Sequence, residues 1–95
     1  MPFIDRQKVS ALVFNALREV ADFASEDESF DFSKFTKYHS YLFVNKIAYL
    51  LSQEGLSVTL SISGLGSHPT MKTLIDYIND NQVVQSTLAD KVSLP

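Results

Sequence analysis

Three stretches of this chain repeat apolar residues every three or four positions, and that period commits most of it to amphipathic helices. In the first, Val9, Leu12, Val13, Ala16, Leu17, Val20 and Phe23 form one stripe, with Asp5 placed to cap it. The second is expected over residues 40–54, with Ser40 as N-cap and Val44, Ile47, Ala48 and Leu51 facing inward. Gly55 then follows as the C-cap. Pro69-Thr70 opens the third helix, where Met71, Leu74, Ile75 and Ile78 share a stripe that Asn79-Asp80-Asn81 closes.

The segments between the helices follow other rules. Ala24-Ser25-Glu26-Asp27-Glu28-Ser29 breaks the period, and Phe30, Phe32, Phe35 and Tyr38 follow at short intervals. This predicts a long loop whose aromatic side chains anchor it to the core. Its carboxylates, Glu26, Asp27, Glu28 and Asp31, read as a solvated loop surface rather than a docking patch. Leu56-Ser57-Val58-Thr59-Leu60-Ser61-Ile62 alternates with period two, but a lone strand has nothing to pair with. The stretch to Leu65 is therefore expected to be an extended loop ending in a short helical turn. Gly64-Leu65-Gly66 lacks the preceding strand and the third glycine of a phosphate-binding loop, so it reads as a turn. Val84, Leu88 and Val92 keep four-residue intervals. Residues 1–81 thus read as one domain, and residues 82–95 as an extension that either adds a fifth helix or is flexible.

Composition narrows the functional classes. A chain of 95 residues supports one modest core, so a large substrate pocket would have to come from a partner. No apolar run reaches the length of a bilayer span, and Met1-Pro2-Phe3-Ile4-Asp5 has neither the basic nor the long apolar region of a secretory signal. The expectation is a cytoplasmic, monomeric protein without a membrane partner. With no cysteine there is no disulfide, thiolate metal site or thiol nucleophile, and any thiol must arrive on a cofactor. Net charge −3 and eight dispersed Lys and Arg residues argue against a nucleic-acid partner. The only histidines, His39 and His68, are not spaced as helical metal ligands, and Ser40 lacks the Gly-x-Ser-x-Gly frame of a nucleophile elbow. A non-catalytic protein is expected, with no metal site.

One wider pattern is more specific. His39-Ser40 is followed fifteen positions later by Gly55, then by His68-Pro69-Thr70 and Leu74-Ile75-Asp76-Tyr77-Ile78. Over roughly residues 5–81 this resembles the acyl and peptidyl carrier protein family. His39-Ser40 is similar to the His-Ser form of that family's modified serine motif. Gly55 sits at the family spacing, and Pro69-Thr70 matches the Pro-Thr that opens the last helix of polyketide and nonribosomal-peptide carriers. The sequence departs from the pattern at Lys37 and Tyr38, where glycine or small residues are usual, and at Tyr41, where leucine is usual.

The resemblance implies an all-α, four-helix up-down bundle with one short helix. It implies that Ser40, exposed at the start of the second helix and flanked by His39, carries a 4'-phosphopantetheine arm taken from coenzyme A. A phosphodiester at a helix start would meet free N–H groups and the positive end of the helix dipole. The implied partners are a magnesium-dependent phosphopantetheinyl transferase, an acyl- or aminoacyl-loading ligase or acyltransferase, and a ketosynthase or other assembly-line enzyme. The implied pathways are polyketide, fatty-acid-like or nonribosomal-peptide biosynthesis. Between Tyr41 and Glu54 the only charges are Lys46 and Glu54, so Tyr41, Leu42, Asn45 and Tyr49 are candidate partner contacts reading shape more than charge. Val44, Ile47, Leu60, Ile62, Leu65 and Leu74 are the candidate cargo-lining residues. Two further readings stay open: a carrier-like adaptor that is not modified, which the residues around Ser40 motivate, and an unrelated helical adaptor.

Overall fold

The computed structural model describes residues 3–22, 27–61, 65–66 and 68–84. Three α-helices carry the fold: α1 (Arg6–Val20), α2 (Lys37–Gln53) and α3 (Met71–Asp80). A 3-10 turn, Phe32–Lys34, sits in the connection between α1 and α2. Two short strands, β1 (Leu56–Ser57) and β2 (Val83–Val84), pair antiparallel, Leu56 opposite Val84 and Ser57 opposite Val83. The fold is mainly helical, and none of the described helices is long and apolar enough to cross a membrane.

α1 forms as its periodicity requires. The Asp5 side chain accepts from the backbone N–H of Lys8 at 2.8 Å, and Val9, Leu12, Val13, Ala16 and Leu17 are buried. Phe23 lies outside the described residues. Lys8 pairs with Glu54 at 3.9 Å and Glu19 with Lys46 at 3.1 Å, so α1 and α2 run antiparallel.

α2 differs from expectation at its start and in its rotation. Its N-cap is Thr36, not Ser40. The Thr36 side chain accepts from the backbone N–H of His39 at 3.2 Å, and the Thr36 N–H donates back to His39 Nδ1 at 3.1 Å, closing a capping box. With no glycine at positions 37 and 38 to loosen the backbone, helix extends a turn toward the N-terminus. Ser40 is thereby the fourth helical residue, and its N–H donates to Thr36 O at 3.0 Å. The buried stripe is Phe43, Ile47 and Leu51, with Val44 and Leu50 partly buried and Ala48 exposed. Tyr38 is no core anchor either: it is 68% exposed, because nine residues, two and a half turns, place it opposite Ile47. At the other end the Gly55 N–H donates to Ser52 O, and Gly55 takes φ 74°, the left-handed conformation glycine adopts without a Cβ penalty.

The residues after Gly55 were expected to stay unpaired, but Leu56-Ser57 finds a partner in Val83-Val84, a stretch whose own spacing suggests helix. Leu65 and Gly66 form a helical turn, in which the His68 N–H donates to Leu65 O at 3.1 Å. The expected short fourth α-helix is not among the described residues. The extension from residue 85 onward lies outside them. α3 is capped by Thr70, packs on α1, and buries Met71, Leu74, Ile75 and Ile78 in the core cluster that also holds Phe43, Ile47 and Leu51.

Candidate functional site

The connection between α1 and α2 is fastened to the start of α3 by backbone hydrogen bonds. Lys72 N–H donates to Glu28 O and Met71 N–H to Phe30 O, both at 2.9 Å, while Phe32 N–H donates to Pro69 O at 3.0 Å. Two orphan donors of the α3 N-terminus are satisfied by this loop. Arg6 adds a side-chain clamp: its guanidinium holds Glu28 at 2.7 Å and Asp76 at 2.7 Å, and Lys72 reaches Asp76 at 3.1 Å. The hydrogen bonds from Arg6 hold the carboxyls of Glu28 and Asp76 below their ordinary range.

The acidic loop is thus not a free patch. Glu28 is committed to Arg6, the Asp27 side chain caps Ser29, and the Asp31 side chain accepts from the N–H and hydroxyl of Ser33. Those Ser33 bonds keep the Asp31 carboxyl ionised to lower pH than usual. Glu26 lies outside the described residues. Behind the loop, Phe30, Phe32 and Phe35 pack on one another, and Phe32 and Phe35 pack on Phe43, with ring centroids 5.3–6.0 Å apart. Phe43, like Leu56, is a fully buried core residue that sequence reasoning missed. Its i, i+4, i+8 spacing with Ile47 and Leu51 was the available signal.

This packing leaves a groove of about 450 Å³ beside the first turn of α2, lined by Asp31, Phe32, Ser33, Ser40, Leu65, Gly66 and Pro69. Ser40, half-buried, forms one wall. Of the candidate cargo-lining residues among those described, only Leu65 joins it there. Ile47 and Leu74 are fully buried core residues, Val44 and Leu60 pack partly buried against that core, and Ile62 lies outside the described residues. His39 does not line the groove; its ring caps α2 and packs 5.5 Å from Phe35. His68 packs 4.3 Å from Tyr77, whose hydroxyl donates to Thr59 O.

Tyr41 and Tyr49 are 54% and 55% exposed, and Asn45, also exposed, donates its side-chain N–H to Tyr41 O at 2.8 Å. Leu42 is half-buried beside them. The candidate partner residues therefore share one outward face.

The groove can be tested against a pantetheine arm. Such an arm alternates amides with apolar segments, and the groove offers Phe32, Leu65 and Pro69 next to the polar Asp31 and Ser33. A phosphodiester on Ser40 would find the Ser40 N–H already used, leaving those of Lys37 and Tyr38 in the first turn. The chemistry fits, with a weaker anion site than a serine at the cap would have. No protein-family model, curated protein or solved structure matches the chain.

Proposed function

We propose that this protein is a carrier that holds an acyl or aminoacyl group as a thioester on a 4'-phosphopantetheine arm joined to Ser40. In this reading the fold is a carrier-type four-helix bundle, with the stretch between Val58 and Pro69 in the place of its short helix. The observation that carries the proposal is the position of Ser40 on the wall of the groove between the Phe32–Lys34 turn and Leu65-Gly66. An arm attached there has a mixed polar and apolar surface to follow as it leaves the serine. The arm supplies the thiol that a chain without cysteine lacks. The protein itself performs no catalysis; Ser40 supplies a hydroxyl, and Tyr41, Leu42, Asn45 and Tyr49 meet the transferase, the loading enzyme and the assembly-line enzymes.

A second reading has an observation of its own. The capping box at Thr36 and His39 places Ser40 inside the helix, where the usual carrier serine stands at its start. An adaptor that is never modified is consistent with that geometry. Intact mass decides between them after incubation with coenzyme A, magnesium and a broad-specificity phosphopantetheinyl transferase. The carrier reading expects one phosphopantetheine added to the parent and none to Ser40→Ala. No addition to the folded parent protein favours the adaptor.

A further inference from the structure

The exposed face of α2 carries a charge of opposite sign to the rest of the chain. Between Phe32 and Gln53 there are three lysines, Lys34, Lys37 and Lys46, and no carboxylate. Elsewhere the chain has five basic and eleven acidic residues. Lys46 is answered within the fold by Glu19 at 3.1 Å. Lys34 and Lys37, one in the 3-10 turn and one at the first position of α2, are exposed and form no salt bridge among the described residues, although Lys34 is near enough to Asp31 to favour its ionised carboxyl.

The start of α2 at Lys37 also adds Tyr38 to the outward stripe. Tyr38, Tyr41, Asn45 and Tyr49 fall within about 80° of the helix circumference. The three tyrosines, 54–68% exposed, are three of the five large hydrophobic residues most exposed in the described structure. Tyrosine presents a rigid amphipathic surface that loses little side-chain entropy on contact, and it is enriched at interface centres. Charge beside such a patch sets orientation and choice of partner.

We propose that this face is a docking surface for a protein whose own contact patch is apolar and rimmed with carboxylates. Tyr38, Tyr41 and Tyr49 meet the apolar centre, and Lys34 and Lys37 meet the acidic rim. This deepens the partner contacts that the proposed function gives Tyr41 and Tyr49 and rests on that reading for them, but it needs no arm at Ser40, so the peptide titration can fail while the mass assay succeeds, and the reverse.

The test uses the full chain, labelled with nitrogen-15, and two synthetic amphipathic helical peptides. Both carry the same Leu and Phe face, flanked by Glu in one and by Lys in the other. The Glu peptide is expected to shift the amide resonances of residues 37–49 and to bind at least about tenfold more tightly than the Lys peptide. The preference should shrink near 1 M salt, where the Debye length falls to about 3 Å. It should reverse in Lys34→Glu/Lys37→Glu, a variant that keeps its fold because both side chains are exposed and an acidic residue at position 37, in the first turn of α2, favours the helix dipole. Ser40→Ala should bind as the parent does. Equal affinity for the two peptides, shifts mapping to another face, or no shift at millimolar peptide overturns the proposal. Binding of phosphatidylserine vesicles through the same residues in preference to the Glu peptide also overturns it, by assigning the face to a membrane.

Discussion

His39 Nδ1 stands 3.1 Å from the backbone nitrogen of Thr36, while Thr36 Oγ1 accepts from the N–H of His39 at 3.2 Å. Each residue satisfies the other's backbone donor, and together they fix where α2 begins. Thr36→Ala removes the side-chain acceptor and should cost about 1 kcal/mol in chemical denaturation. The amide of His39 should then exchange faster than in the parent.

Moving the start of α2 is a separate experiment. Lys37→Gly/Tyr38→Gly weakens the first helical turn by about 1 kcal/mol per residue and should let the helix begin nearer Ser40. Under the carrier reading, transferase-dependent mass gain at Ser40 should be faster in this variant than in the parent. An unchanged rate would show that the position of Ser40 within the helix does not limit modification.

Phe43 joins the aromatic loop to the core, with Phe32 and Phe35 both 5.5 Å from its ring. Phe43→Ala should cost about 3–5 kcal/mol, a large share of the roughly 5–15 kcal/mol that holds a domain together. Thermal unfolding monitored by circular dichroism should show a midpoint far below the parent's. Phe3→Ala, at a residue 45% exposed, should leave it nearly unchanged.

Acid should loosen the clamp at Arg6. Glu28 and Asp76 titrate below their ordinary values of 4.5 and 3.8, because Arg6 favours their ionised forms. Their contribution is therefore complete above those ordinary values and is lost as pH falls through the lowered ones. The three side chains are 38–41% exposed, so the effect is screened by solvent and salt and should be modest. Melting midpoints of the parent should fall across this acidic window, and those of Arg6→Gln should fall less. Parallel curves for the two proteins would remove the clamp from the account.

Much of this arrangement was legible in the residues alone. Asp5 and the Val9 to Leu17 stripe specify α1, and Thr70 with Met71, Leu74, Ile75 and Ile78 specifies α3, because each has one cap and one consistent face. α2 was ambiguous on both counts. Thr36 and Ser40 are both good caps, and the deciding residue was His39, a histidine doing what glutamate or glutamine usually does in a capping box. The stripes Phe43-Ile47-Leu51 and Val44-Ile47-Ala48-Leu51 both suit a helix, and only packing against Phe32 and Phe35 separates them. The β1–β2 pairing was hidden because a strand partner twenty-six or more residues away leaves no local trace. Of the groove's lining, Ser40 and Leu65 were singled out by the sequence, while Asp31, Phe32, Ser33 and Pro69 reach the groove only through the loop's backbone bonds to α3.

The side-chain amide of Gln82 accepts from Ile4 N–H at 3.0 Å and donates to Ile4 O at 2.8 Å, standing in for the peptide group of a neighbouring strand. Its effect is to hold Ile4 and Gln82 side by side; Ile4 stands two residues before α1, and Val84 pairs with Leu56 just beyond α2. Both lie at the Gln53 end of α2, about 20 Å of helix from Ser40. A fluorescent reporter or affinity handle joined directly before Phe3 or directly after Val84 would thus be grafted at the pole remote from the groove. Residues 3–84 could also be spliced into a surface loop of a host protein with the two junctions adjacent and Ser40 facing away from the host.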